Sequence, residues 1–248
     1  MASSESWQSL LADIRPVTLS GVAWRVACAG AERARAELTT NLTELQTLER
    51  LLSGSTTSPD RRLDPLLRSP WQQVSWPHPR RFHPPRQGAA LYASLELETA
   101  LAEVAAARSR FWQALPANSR PAALRSLHTA FSLSYHCPSG AQLQNPPFRR
   151  LRDLLTGSDP QPTRQLAVVL RDHGISGWEY PSGCCPHFGL NLLLLDPEQI
   201  GASRPGEQQL WLCEVSKQGV WMAHQGRLLQ FDHWSNPSSA DPPALSSF

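Results

Sequence analysis

RFHPPRQGAALYASLELETALAEV, residues 81–104, is the stretch on which the reading of this chain turns. An Arg81-Phe82 pair enters a loop with Gly88, residues 89–94 are a short apolar run suited to a strand, and 97–111 is an alanine-rich helical stretch. Leu97, Leu101 and Val104 mark the buried face of that helix, and Glu103 lies beside the face, not opposite it. Loop, strand and helix in this order bring Arg81, Tyr92 and Glu103 within reach of one another. A guanidinium, an aromatic ring and a carboxylate suit a nucleotide, which offers phosphates, a flat base and a ribose. Each residue also has an ordinary reading: a strand-end core tyrosine, and a solvated helix glutamate with Glu96 and Glu98 as companions.

Outward from this stretch the elements alternate without a repeat. Residues 4–14 suggest a short helix stopped by Pro16, and 21–28 (GVAWRVAC) a first strand with Arg25 inside it. A charge in an apolar strand needs a partner or a site. Residues 31–52 carry Leu38, Leu42, Leu45, Leu48 and Leu52 at three- and four-residue spacing, which predicts a helix ended near Gly54. Residues 58–88 are rich in Pro, Arg and Trp and read as irregular, with Trp71 and Trp76 arguing for order. Further on, 130–135 reads as a strand, 151–155 as a short helix, 163–173 as a helix ended by Gly174, 177–180 and 190–195 as strands, and 209–215 with 220–223 as a hairpin. The tail from 236 has a disordered composition. This mixed order predicts an α+β domain with a mixed or mainly antiparallel sheet.

Bulk properties restrict the function. The 248 residues are 41% hydrophobic and 18% charged, which are globular values, and the net charge of +2 argues against binding nucleic acid by bulk electrostatics. Lys217 is the only lysine, so nearly all positive charge is arginine, the planar fork that fits phosphate and carboxylate. The five cysteines, Cys28, Cys137, Cys184, Cys185 and Cys213, lack the spacing of a disulfide framework. Cys184, Cys185 and His187, with His136 and Cys137, are a poor zinc set, because adjacent cysteines rarely share one ion; no metal is expected. The first residues, MASSESWQSLLADIRP, do not read as a secretory signal, and the apolar run 190–195 is too short to span a bilayer. The expectation is a cytoplasmic protein with no membrane contact. Ser182, in EYPSGCCP, reads most simply as a turn serine; a hydroxyl beside turn N–H groups can also hold a phosphate.

Together these residues resemble the RES-domain family, named for an Arg, a Glu and a Ser. The likeness runs through Trp24-Arg25, LTTNLTELQTLERLL, DPLLRSPWQQ, Arg81-Phe82, Tyr92, ETALAEV with Glu103, RQLAVVLRDHGISGWEYPS ending on Ser182, QQLWLCEV and Trp221. It departs from the family pattern after Ser182, where Gly183-Cys184-Cys185 replaces a turn that often carries Arg, and before the 163 helix, where Pro160 and Pro162 stand in place of an aromatic residue. The resemblance implies one domain over 1–235, with a first strand at 15–30, a helical insertion at 31–53, a Pro/Arg-rich loop at 58–88, a core at 89–235 and a tail at 236–248. It implies an ADP-ribosyltransferase-like split mixed sheet with flanking helices and NAD+ as substrate in the central cleft. The implied activity is that of a bacterial toxin that breaks the nicotinamide–ribose bond, by phosphorolysis with inorganic phosphate as co-substrate or by hydrolysis. The alternatives are an ADP-ribosyltransferase acting on a protein target and an inactive nucleotide- or partner-binding module. Glu103, Arg81 and Tyr92 are the implied catalytic residues; Arg25, Arg81, Tyr92 and Ser182 are the implied NAD+ contacts. The implied partner is a separate Xre-type antitoxin covering the cleft, with no direct binding of nucleic acid.

Overall fold

The computed structural model describes residues 7, 14–29, 62–72, 81–83, 89–185, 187 and 189–233. The helix expected over 31–52, the tail from 236, and Trp76 and Gly88 lie outside these residues, as does most of the helix expected over 4–14.

The first strand, β1 (Val17–Cys28), starts earlier than the alternation suggests. Helix α1 (Pro65–Gln72) then corrects the reading of 58–88 as irregular throughout. Its local chemistry explains it. Asp64 Oδ1 accepts the Leu66 N–H at 2.9 Å, and Pro65 sits in the first turn, where a missing N–H removes no helical bond. Pro70 leaves the Leu66 carbonyl without its helical amide, and the Ser69 hydroxyl donates to that carbonyl at 3.0 Å. The chain continues through β2 (Leu91–Ser94), α2 (Leu97–Ala114), β3 (Ala123–Gln142), a short 3-10 turn into α3 (Arg152–Thr156), α4 (Gln161–Asp172), β4 (Gly177–Pro181), β5 (Leu190–Leu194), β6 (Gln208–Ser216), β7 (Gly219–His224) and β8 (Arg227–Phe231).

The strands form one eight-stranded mixed sheet in the order β1-β2-β5-β4-β3-β6-β7-β8, with β1 also paired to β3. The β3–β4 pair is parallel; the other pairs of named strands are antiparallel. Strand β3 organises the whole. His128 to Phe131 pair with β1 on one edge and β6 on the other, while Gly140 pairs with Val17 of β1 and Gly177 of β4. Strands β4 and β6 therefore leave the same edge of β3 at different heights, and the sheet is split. Gly201 and Gly206 line the gap, their N–H groups donating to the carbonyls of Ser134 and Ser132 at 2.8 and 2.9 Å. On the β4 side the pairings run β1-β2-β5-β4-β3 and back to β1, a closed ring joined at β1–β2 by the register pair Trp24–Ser94.

Three apolar clusters fill the layers. One face of the ring packs Phe82, Trp178, Tyr180 and Leu193 against Leu166 and Leu170 of α4. The opposite face gathers Ala23, Leu91, Phe131, Leu133 and Leu192, closed by Leu63 and Leu67. Helix α2 lies across β1, β6 and β7 with Leu101, Val104 and Ala105 against Val26, Trp211, Val220 and Met222. Its buried alanines, Ala100, Ala102, Ala105 and Ala106, let the backbone approach the sheet closely. No helix among the described residues is long and apolar enough to cross a membrane.

Candidate active site

Cross-strand register builds the floor of the site. Trp24 pairs with Ser94, Ser94 with Asn191, and Asn191 with Tyr180. Directly opposed residues point to the same face, so these four side chains form a row across β1, β2, β5 and β4. The next row on that face holds Tyr92, Leu193 and Trp178. Helix α2 runs past the first row, and Glu103 hangs over it. Thr99, one turn earlier on the same stripe, meets the loop after β4, where its hydroxyl lies 3.6 Å from Cys185 Sγ.

The half-buried Glu103 carboxylate is gripped at one oxygen. Ser182 Oγ donates to Oε1 at 2.7 Å and Asn191 Nδ2 donates to the same Oε1 at 2.6 Å. Behind them, Ser94 Oγ donates to Asn191 Oδ1 at 2.7 Å. The Ser182 hydroxyl also accepts the N–H groups of Cys184 and Cys185, each at 3.0 Å. A hydroxyl has one proton and two lone pairs. Ser182 therefore spends its proton on Glu103 and its lone pairs on the turn that follows it. Gly183 is required there: a Cβ at this position would sit 2.8 Å from the Thr156 carbonyl.

Two residues beside the carboxylate hold their protons. Burial keeps the Tyr180 hydroxyl protonated well past the usual tyrosine range, with the nearby Glu103 carboxylate adding to it and Arg81 opposing. Burial likewise pushes the Cys184 thiol well up, reinforced by Glu103 and opposed by Arg110 and Arg81. Cys184 is thus a neutral neighbour of Glu103, not a thiolate nucleophile.

Arg81 is placed at this site, and its guanidinium is engaged with backbone: it donates to the carbonyls of Leu155 and Gly157 at 2.8 Å each, and to Thr156 at 3.5 Å. It closes the C-terminal end of α3 beneath the Ser182 turn. Phe82 fixes the segment by edge contacts with Tyr180 and Trp178, at centroid separations of 4.7 and 5.6 Å. The Tyr92 hydroxyl meets His83 Nδ1 at 3.3 Å, and Arg171 reaches His83 Nε2 at 3.2 Å. Arginine can only donate, so Nε2 accepts and Nδ1–H points at Tyr92 Oη. Arg25 is set apart. Strand alternation places it on the opposite face with Ala23 and Ala27, from which Nη1 contacts the Tyr92 carbonyl at 3.4 Å. The fold thus unites Glu103, Ser182, Tyr92 and Arg81 on one face and leaves Arg25 behind it.

Residues that the sequence did not single out complete the site: Asn191, Ser94, Tyr180, His83 and Arg171. Asn191 had a readable signal, a polar residue in an apolar strand; it is 4% exposed and obliged to find partners. Among the described residues no group of three or more His, Cys, Asp or Glu could hold a metal. Cys137 lies elsewhere, with Gln199 Nε2 donating to its sulfur at 3.2 Å.

A search of curated proteins finds no match to the chain. Among solved structures, the M. tuberculosis MbcT–MbcA toxin–antitoxin complex is similar over 81% of this chain and 87% of that chain, with 13% identity and a TM-score of 0.41. The family model described as the RES domain matches residues 56–213, well over half of the sequence. The chain belongs to the RES domain family.

Proposed function

We propose that this protein is the toxin of a toxin–antitoxin pair and that it cleaves the nicotinamide–ribose bond of NAD+ by phosphorolysis. The observation that carries the reading is the Glu103 carboxylate, held at one oxygen by Ser182 and Asn191 on the sheet face it shares with Tyr92. Membership of the RES domain family supports it. As the bond to nicotinamide stretches, its electron pair passes to the ring nitrogen and neutralises the pyridinium. Positive charge develops on the ribose, and a fixed carboxylate stabilises that charge. A phosphate oxygen then bonds to the anomeric carbon, giving nicotinamide and ADP-ribose phosphate; water in its place gives ADP-ribose. The leaving group departs neutral, so no strong acid is needed, in keeping with the protonated, unreactive Tyr180 and Cys184.

In this reading Glu103 acts on the ribose and Tyr92 packs beside the nicotinamide ring. Arg81 contributes positive charge and holds the Leu155–Gly157 carbonyls under the Ser182 turn. Arg25, on the far side of the sheet, supports the β2 backbone at Tyr92 and, against the expectation from the resemblance, is not assigned a contact with NAD+. A separate antitoxin of Xre type covers the cleft.

The test is incubation of the purified chain with NAD+ and inorganic phosphate, followed by product identification. Nicotinamide with ADP-ribose phosphate is expected, and Glu103→Gln lowers kcat by about 10²–10³. ADP-ribose alone would mean hydrolysis, and label on a protein would mean transfer. No loss of NAD+ from the wild-type chain would overturn the enzymatic reading.

A further inference from the structure

The proposed reaction asks for a carboxylate with one defined oxygen directed at the sugar, and the structure shows a device for this that lies behind Glu103 itself. Ser94 and Asn191 are 2% and 4% exposed, adjacent across β2 and β5, and hydrogen-bonded to each other. A primary amide can present either end to a carboxylate; only the N–H end attracts. Ser94 decides which. Its hydroxyl donates to Asn191 Oδ1, so Oδ1 is turned away from Glu103 and Nδ2 toward it. Asn191 and Ser182 then both donate to Oε1, and neither donates to Oε2.

We infer that Ser94 and Asn191 are positioning residues that fix the Glu103 carboxylate so that Oε1 serves the scaffold and Oε2 faces the ribose. This rests on the NAD+-cleaving reading and adds two residues to it. The relay comes from strands, whose backbone is held by ladder bonds on both sides: β2 pairs with β5, and β5 with β4. The carboxylate is on a helix and hangs from a rotatable side chain. Fixing it from the sheet sets its height over the floor row and leaves Ser182 to set its lateral position. Asn191 and Ser94 touch Glu103 or each other and lie beneath it, so they act through it and not on substrate.

The test compares Ser94→Ala, Ser94→Thr, Asn191→Asp and Asn191→Ala with wild type. Ser94→Ala removes the group that orients the amide and leaves its volume nearly intact. Asn191→Asp preserves shape and sets an acceptor against Oε1, and it serves if Asn191→Ala fails to fold. The expected result is a loss in kcat of about ten- to a hundredfold, with KM for NAD+ within about threefold. Ser94→Thr, which keeps the hydroxyl, restores most of the rate. A second readout needs no NAD+: the Asn191 side-chain amide resonances, shifted by the carboxylate in wild type, move or broaden in Ser94→Ala and in Glu103→Gln. Rates within twofold of wild type, a change confined to KM, or amide resonances indifferent to both substitutions would overturn the inference. If wild type leaves NAD+ untouched, the functional reading fails, and the resonances alone decide whether Ser94 and Asn191 orient the carboxylate.

Discussion

His128 shows how one buried side chain ties stability to pH. It sits in β3 at 2% exposure, with Nε2 2.9 Å from Ser126 Oγ and Nδ1 without a hydrogen bond among the described residues. Burial, with the Arg108 charge second, lowers its pKa from 6.5 to about 4. The folded protein therefore keeps it neutral, while the unfolded chain takes up a proton below pH 6.5. Stability is at its plateau above that value and falls as pH drops from 6.5 to about 4, by about 3 kcal/mol in all. Urea midpoints measured between pH 7 and 4.5 should show the slope, and His128→Gln should flatten it. The thiols behave in the same spirit. Burial pushes Cys213 up to about 11 and also raises Cys184 well above the ordinary thiol range, so iodoacetamide at pH 8 should leave both largely unmodified in the native protein and label them once it unfolds.

At the scale of elements, the turn between β4 and β5 is the most constrained piece of backbone. Gly183→Ala would drive a methyl to 2.8 Å from the Thr156 carbonyl, which Arg81 fixes in place. The turn must then move, and Ser182 with it; we expect loss of NAD+ cleavage of about tenfold or more with the melting temperature lowered by only a few degrees, measured side by side. The sequence was informative about elements wherever its pattern was local. The helix at 97–111 is observed as α2 (Leu97–Ala114), and the strands at 177–180 and 190–195 as β4 and β5. Strand β3 was read as 130–135 and is far longer, Ala123–Gln142. Pro138 argues against a strand on local grounds, but it falls where Leu19–Cys137 steps to Val17–Gly140, a bulge that needs no amide from it. Leu127, on a solvent face at 41% exposure, breaks the alternation further. Strand β8 went unread because RLLQF is too short and exposed to carry a pattern. Within the site, Glu103 and Ser182 were legible through motif resemblance. Their partner Asn191 was visible only as an interruption, because the bond that explains it joins residues 88 apart in sequence.

For the whole molecule, the split sheet is a mechanical asymmetry. Strand β3 is paired on both edges and carries both halves, whereas β8, among the described residues, is paired only to β7. Hydrogen exchange should accordingly be slowest for amides of β3 between His128 and Phe131, which have strands on either side, and fastest among the strands for β8. Equal protection across the sheet would contradict this picture. The outer face of β3, β6 and β8 also presents Leu127, Leu210, Leu212 and Leu228 at 41–59% exposure.

The grip on Glu103 has a consequence for the order of synthesis. Its donors, Ser182 and Asn191, follow it by 79 and 88 residues. While the chain emerges from the ribosome, α2 can form early, but its carboxylate has nothing to hold it until β4 and β5 have been made. Ring closure has the same timing, because β1 must wait for β3, more than 100 residues on. An incomplete chain therefore carries the glutamate without the site. On the proposed reading, cleavage of NAD+ therefore begins only once β5 has been made.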